Sequence, residues 1–149
     1  MTATSESSTP ALLDTNIVVY AYDVDEPAKH QVARELLERL VDEGRLVLSV
    51  QVFNESCAVM LKSRRGARLE SSQVCETLRG LEACCAILPM TATLTLRALE
   101  VMPREGLSFW DALIWAAAAE HRVPTIYTED FQDGRVIEGV RFVNPFTTT

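Results

Sequence analysis

Short apolar strand patterns alternate with longer helical ones along this chain, and that alternation restricts its fold more than any other feature. ALLD (11–14), LVLS (46–49), CAILP (85–89) and PTIYTEDF (124–131) are brief apolar runs closed by a polar residue or a proline, the form of a buried strand. Between them, AKHQVARELLERLVDEG places Val32, Ala33, Leu36, Leu37, Leu40 and Val41 at helical spacing and stops at Gly44. QVFNESCAVMLKSR, residues 69–81, TATLTLRALEVM and LSFWDALIWAAAAEHR read as further helices. Ser108 is placed to cap the last of these. Strands joined through helices predict a mostly parallel sheet flanked by helices on both faces, a three-layer α/β/α domain. Sheets of this kind bind ligands beyond the carboxyl ends of their strands.

The chain has 149 residues, of which 48% are hydrophobic and 23% charged, enough for one domain with a real core. We expect that domain over residues 11–149, after a disordered lead-in at 1–10 that lacks the basic and apolar parts of a secretory signal. No apolar run approaches the roughly 18 residues of a membrane span. A cytoplasmic protein is the expectation, with Cys57, Cys75, Cys84 and Cys85 as reduced, packed thiols, since their spacing matches no zinc site. The net charge of −7 gives no overall field to attract nucleic acid, so any such contact must be local.

Four carboxylates stand where charge is costly: Asp14 in ALLDTNIVVY, Glu55 in VFNESCAV, Asp111 in SFWDALIWAAA and Asp130 in TIYTEDF. An acid drawn into an apolar setting must be paired, protonated or bound to a metal. Asp14 and Asp130 fall at strand ends, where helix starts carrying Glu55 and Asp111 can meet them. A group of hard oxygen ligands without an evident buried cation suits Mg²⁺ or Mn²⁺. Taken singly, Asp14 reads equally as a helix cap and Asp111 as a partner of the helix dipole; taken together, the four favour a metal cluster.

Other polar groups are weaker candidates. KSRRGAR supplies Lys62, Arg64, Arg65 and Arg68, a phosphate track or a solvated loop. His30 and His121 are read as surface residues, and Asp23 and Asp25 as parts of a polar turn before Pro27. Phe109 and Trp110 are read as core or dimer packing.

LLDTNIVVYAYD, LSVQVFNES, LSFWDALIWAAA and IYTEDFQDGRVIEGVRFVNPF, in this order and at these separations, resemble the PIN-domain ribonucleases, and among them the toxins of bacterial VapBC-type toxin–antitoxin pairs. The resemblance covers nearly the whole chain. It implies an acidic metal-binding and catalytic quartet at Asp14, Glu55, Asp111 and Asp130, with Asn16 and Thr128 as polar supports. Asp133 is a further acid that could join the cluster or occupy a turn before Gly134, and the turn is preferred. The resemblance also implies RNA hydrolysis by Mg²⁺- or Mn²⁺-activated water, leaving a 5′ phosphate and a 3′ hydroxyl. As partners it implies a homodimer and a VapB-like antitoxin, with operator DNA bound only through the antitoxin.

Three readings stand beside this one. A PIN-like module that binds RNA or protein without cutting, or an RNA-processing nuclease without an antitoxin, has the same fold. A phosphatase or receiver-like pocket calls for a lysine beside the acids, and Lys29 and Lys62 follow no suitable strand.

Overall fold

The computed structural model describes residues 8–62 and 69–147. Six strands form one sheet in the order β3-β2-β1-β4-β6-β5. They are β1 (Ala11–Leu13), β2 (Leu46–Ser49), β3 (Ala86–Leu88), β4 (Thr125–Tyr127), β5 (Val136–Ile137) and β6 (Val140–Val143). All neighbours run parallel except β5 and β6, which form an antiparallel hairpin. Six helices connect the strands: α1 (Thr15–Tyr22), α2 (Pro27–Asp42), α3 (Val50–Lys62), α4 (Ser71–Cys84), α5 (Ala92–Glu105) and α6 (Phe109–Glu120).

The chain steps outward from β1 through β2 to β3, then returns to lay β4 on the other side of β1. Right-handed crossovers put the helices of the outward and return paths on opposite faces. The packing follows this division: α1 lies on α2 and α3, α3 on α4, and α5 on α6. The reversal between β1 and β4 opens a crevice at their carboxyl ends, the place where sheets of this type take ligands.

Burial explains why the central strands read so clearly. β1 and β2 are buried at every position, so they are continuous apolar runs rather than alternating ones. α2 turns Ala33, Leu36, Leu37 and Leu40 inward and ends before Gly44, whose φ of 67° suits glycine. The middle of α6 is buried on all sides from Ala112 to Ala118, and Trp115 donates its indole N–H to the carbonyl of Ile137 at 3.0 Å. Truncating Trp115 to alanine is expected to cost about 3–5 kcal/mol.

Several expectations need correction. The β5–β6 hairpin does not stand out in the sequence, and its turn explains why: Glu138 and Gly139 both have positive φ, at 46° and 82°. A two-residue turn of this type normally shows Asn-Gly or Asp-Gly. Here Glu138 is held instead by ion pairs with Arg97 and Arg104 from α5. Helix α5 also runs through Pro103 to Glu105, beyond the expected end at Met102. Pro103 and Leu99, whose carbonyl the proline cannot bond, are both exposed, so water can satisfy that carbonyl. α4 starts at Ser71, after a capping box made by Glu70 and Gln73, rather than at Leu69. Its buried stripe is Val74, Leu78 and Leu81. Cys75 and Cys84 lie off that stripe and are exposed, while Cys57 and Cys85 are partly buried; all four are free thiols, so only two are packed as expected. His30 is half-buried, with Nδ1 2.9 Å from the carbonyl of Tyr20, whereas His121 is the exposed C-cap of α6.

Candidate functional site

Asp14 occupies the joint between β1 and α1. Its amide donates to the carbonyl of Tyr127 at 2.9 Å, extending the β1–β4 ladder, and its carbonyl accepts from Ile17 and Val18. Its side chain caps α1 through Thr15 N–H at 2.7 Å and receives the Thr128 hydroxyl at 2.8 Å. The cap and the site residue are therefore one side chain. Burial pushes its carboxyl up from the ordinary 3.8 to about 6, with repulsion from Asp130 and Asp111 adding to the rise.

Glu55 lies in the second turn of α3, where Thr15 Oγ1 donates to one carboxylate oxygen at 2.8 Å and Gln51 Nε2 to the other at 2.9 Å. Asp111 is in the first turn of α6, its amide bonded to Ser108 Oγ at 3.2 Å. Burial raises its carboxyl above the usual range, and Asp130 and Glu55 repel it further. Asp130 follows β4 on an exposed loop; Asn16 Nδ2 donates to its Oδ2 at 2.9 Å, and its own amide donates to Thr128 Oγ1 at 3.2 Å.

All four acids line one open cavity of about 1030 Å³, together with Thr15, Asn16 and Gln51. The donors that reach them are hydroxyls, carboxamides and backbone N–H groups. Among the described residues no lysine or arginine lines the cavity, and none forms an ion pair with the quartet. Asn16 Oδ1 and Gln51 Oε1 are buried there without a hydrogen-bond partner. An oxygen-only donor set, partly desolvated and lacking positive charge, fits a hard divalent cation. The carboxylates share a cavity, but among the described residues no three acidic, imidazole or thiol groups stand close enough to hold a metal.

Other candidate residues fall elsewhere. Asp133 is exposed and outside the cavity; its carboxylate binds the amide of Asn144 at 2.9 Å and Thr147 Oγ1 at 3.4 Å, tying down the segment after β6. Lys62 is exposed at the end of α3, and Arg64, Arg65 and Arg68 lie outside the described residues. Asp23 accepts the amide of Asp25 in a turn. Trp110 is no core residue: it is 60% exposed and lines the cavity.

Sequence reasoning missed a polar group on the cavity's rim. Lys29 Nζ lies 2.8 Å from Glu129 and 3.3 Å from the hydroxyl of Tyr20, which lines the cavity and donates to Glu129 at 2.8 Å. The hydrogen bond to Glu129 raises Lys29 above its ordinary value. Lys29 and Glu129 are a hundred residues apart, so no local pattern joins them. Gln51 and Thr15 had a usable signal: one lies a helical turn before Glu55 and the other directly follows Asp14.

The sequence model of the PIN domain matches residues 11–136. The chain belongs to the PIN-domain family. This PIN domain shares its fold with several solved toxin structures. A toxin–antitoxin complex from Klebsiella pneumoniae superposes with a TM-score of 0.67 at 23% identity, covering 91% of this chain and 97% of the other. VapBC2 from Rickettsia felis, bound to a DNA fragment from its promoter, gives 0.63 at 21% identity, with 89% and 96% covered. VapC20 of Mycobacterium tuberculosis, a toxin that cleaves the sarcin-ricin loop, gives 0.59 at 16% identity, with 78% and 86% covered. At these identities the likeness is one of fold. A comparison with curated proteins finds no significant match. Among the described residues of the PIN domain, no helix is long and apolar enough to cross a membrane.

Proposed function

We propose that this PIN domain is a Mg²⁺- or Mn²⁺-dependent ribonuclease and the toxin of a toxin–antitoxin pair. The reading rests on one observation: Asp14, Glu55, Asp111 and Asp130 come from four separate elements, line a single cavity at the sheet's reversal, and receive no cation from the described residues. A divalent ion held by these carboxylates supplies charge neutralisation for a phosphodiester and lowers the pKa of a water.

The chain's own residues fix the carboxylates around that chemistry. Thr128 and the Thr15 amide hold both oxygens of Asp14, Thr15 and Gln51 hold those of Glu55, and Asn16 turns Asp130. The charge left on them faces the cavity and is available to a cation. No side chain need act as a covalent nucleophile: in the proposed reaction water attacks the phosphorus, the bond to the 3′ oxygen breaks, and the products are a 5′ phosphate and a 3′ hydroxyl. A toxin–antitoxin complex and a sarcin-ricin loop cleaving toxin on this fold support an antitoxin partner and an RNA substrate, and the proposal includes a cytoplasmic setting. The pairing extends the proposal to a homodimer, with operator DNA engaged through the antitoxin.

The spacing of the acids favours a second reading, a PIN module that binds RNA or protein without cutting. One experiment separates the two. Purified protein is incubated with labelled structured RNA in Mg²⁺, Mn²⁺ or EDTA, beside Asp14→Asn and Asp111→Asn. Cleavage that needs the metal and is lost in both variants supports the nuclease. No cleavage of varied RNAs, with no rise in melting temperature on adding metal, overturns it.

A further inference from the structure

We infer that the indole of Trp110 is the stacking platform for an unpaired nucleobase, next to the phosphate held at the acids. The inference rests on the nuclease reading of the cavity. Trp110 is adjacent to Asp111 in the first turn of α6, is 60% exposed and lines the cavity. An exposed indole that joins a wider apolar patch marks a binding surface, because its large apolar face gains by being covered.

The ring is mounted rather than loose. Phe109 packs edge-on against it, with centroids 5.1 Å apart and planes at 66°. Gln51 Nε2 donates to the carbonyl of Trp110 at 3.1 Å and to Glu55 at 2.9 Å, joining the platform's backbone to one of the acids. Val59, 44% exposed, and Met90 continue the apolar wall. The cavity thus has an acidic side suited to a cation and phosphate and an apolar side for which those groups have no use. About 1030 Å³ is also more than a phosphate needs, at the upper end of the roughly 300–1000 Å³ typical of small-ligand sites.

Charge gives the apolar side a use. The chain carries a net charge of −7, and among the described residues no lysine or arginine lines the cavity. On the proposed reading a phosphate is held through a cation at the acids, and an uncharged contact beside it adds affinity that these residues' own charge does not supply. Stacking on an aromatic ring is such a contact, tolerates any base, and requires the base to be out of a duplex. The platform therefore selects loops, bulges and single strands over paired RNA.

The protein carries its own probe. Trp115 is 1% exposed and enclosed in the core, so quenching of tryptophan emission by a solute or a base reports on Trp110. The probes are a short single-stranded RNA and the same sequence locked in a hairpin stem, each titrated in Mg²⁺ and in EDTA, with cleavage followed in parallel. The single strand should quench the emission and shield it from iodide, and the stem should not. Trp110→Ala should raise KM about tenfold, the change expected for one stacked base, with kcat within about threefold of wild type. Trp110→Phe should keep most of the affinity, which excludes a folding defect.

An unchanged KM in Trp110→Ala, or equal quenching by strand and stem, overturns the platform. Shielding that follows protein concentration without RNA also overturns it and assigns the indole to a contact between copies of the chain. Cleavage with an unaltered Trp110→Ala removes the platform and leaves the nuclease standing. RNA-dependent quenching without cleavage keeps the platform and removes the nuclease.

Discussion

Glu129 and Asp130 are consecutive residues, yet a lysine stands 2.8 Å from the first while the second, among the described residues, receives only the side-chain amide of Asn16, at 2.9 Å. The rim and the cavity differ in the same way throughout. On the rim, Lys29 reaches over from α2 to neutralise Glu129 and packs its ammonium against the rings of Tyr20 and Phe146. In the cavity, Asp14, Glu55 and Asp130 are each oriented by neutral donors. The chain thus places a cation beside the site and commits it to Glu129, which does not line the cavity. Negative charge inside is retained, at the cost in desolvation that Asp14 and Asp111 display.

The largest test of this contrast is activity. Asp14→Asn and Asp111→Asn are expected to lower metal-dependent RNA cleavage by on the order of 10²-fold or more, and Glu129→Gln by less than about tenfold. Equal losses at rim and cavity would erase the distinction.

Protonation gives the next effect. The unfolded chain releases the Asp14 proton near 3.8, the folded one at about 6. In metal-free protein the stability contributed by this acid is complete below the lower value and is lost as the pH rises through the upper one, by at most about 3 kcal/mol. Urea melts in EDTA at pH 4 and 7 should show wild type losing stability relative to Asp14→Asn by up to this amount, and Mg²⁺ at pH 7 should reduce the loss.

Thr128→Val, which keeps the shape of a 1%-exposed residue and removes its bond to Asp14, should weaken metal binding about 10- to 100-fold by calorimetry. The smallest effect belongs to the rim. Lys29 is 39% exposed and its ion pair is screened by solvent, so Lys29→Met should leave the urea midpoint nearly unchanged and metal affinity unaltered. A large change in metal affinity there would join rim and cavity into one electrostatic unit.

The same division separates what the sequence displays from what it hides. β1, β2, α2 and α6 are legible because burial imposes their apolar patterns directly, and the four acids stand out against those patterns. The parallel sheet follows from the alternation of elements. The hairpin is hidden because β5 has two residues and its turn residue Glu138 is stabilised by arginines from α5. The Lys29–Glu129 pair is hidden because it exists only once α2 meets the loop after β4. Trp110 misleads because an aromatic residue at the start of an apolar helix resembles core, and only the fold shows that the buried stretch begins at Ala112.

The bond from Thr128 to Asp14 and that from Asn16 to Asp130 each span 114 residues. During synthesis, the first acid leaves the ribosome long before the strand and loop that complete its surroundings. On the proposed chemistry, a growing chain cannot attack the RNA around it until β4 has been made and docked against β1. On that reading the cell gains an interval in which the protein is present without its activity, set by the order in which the chain is written.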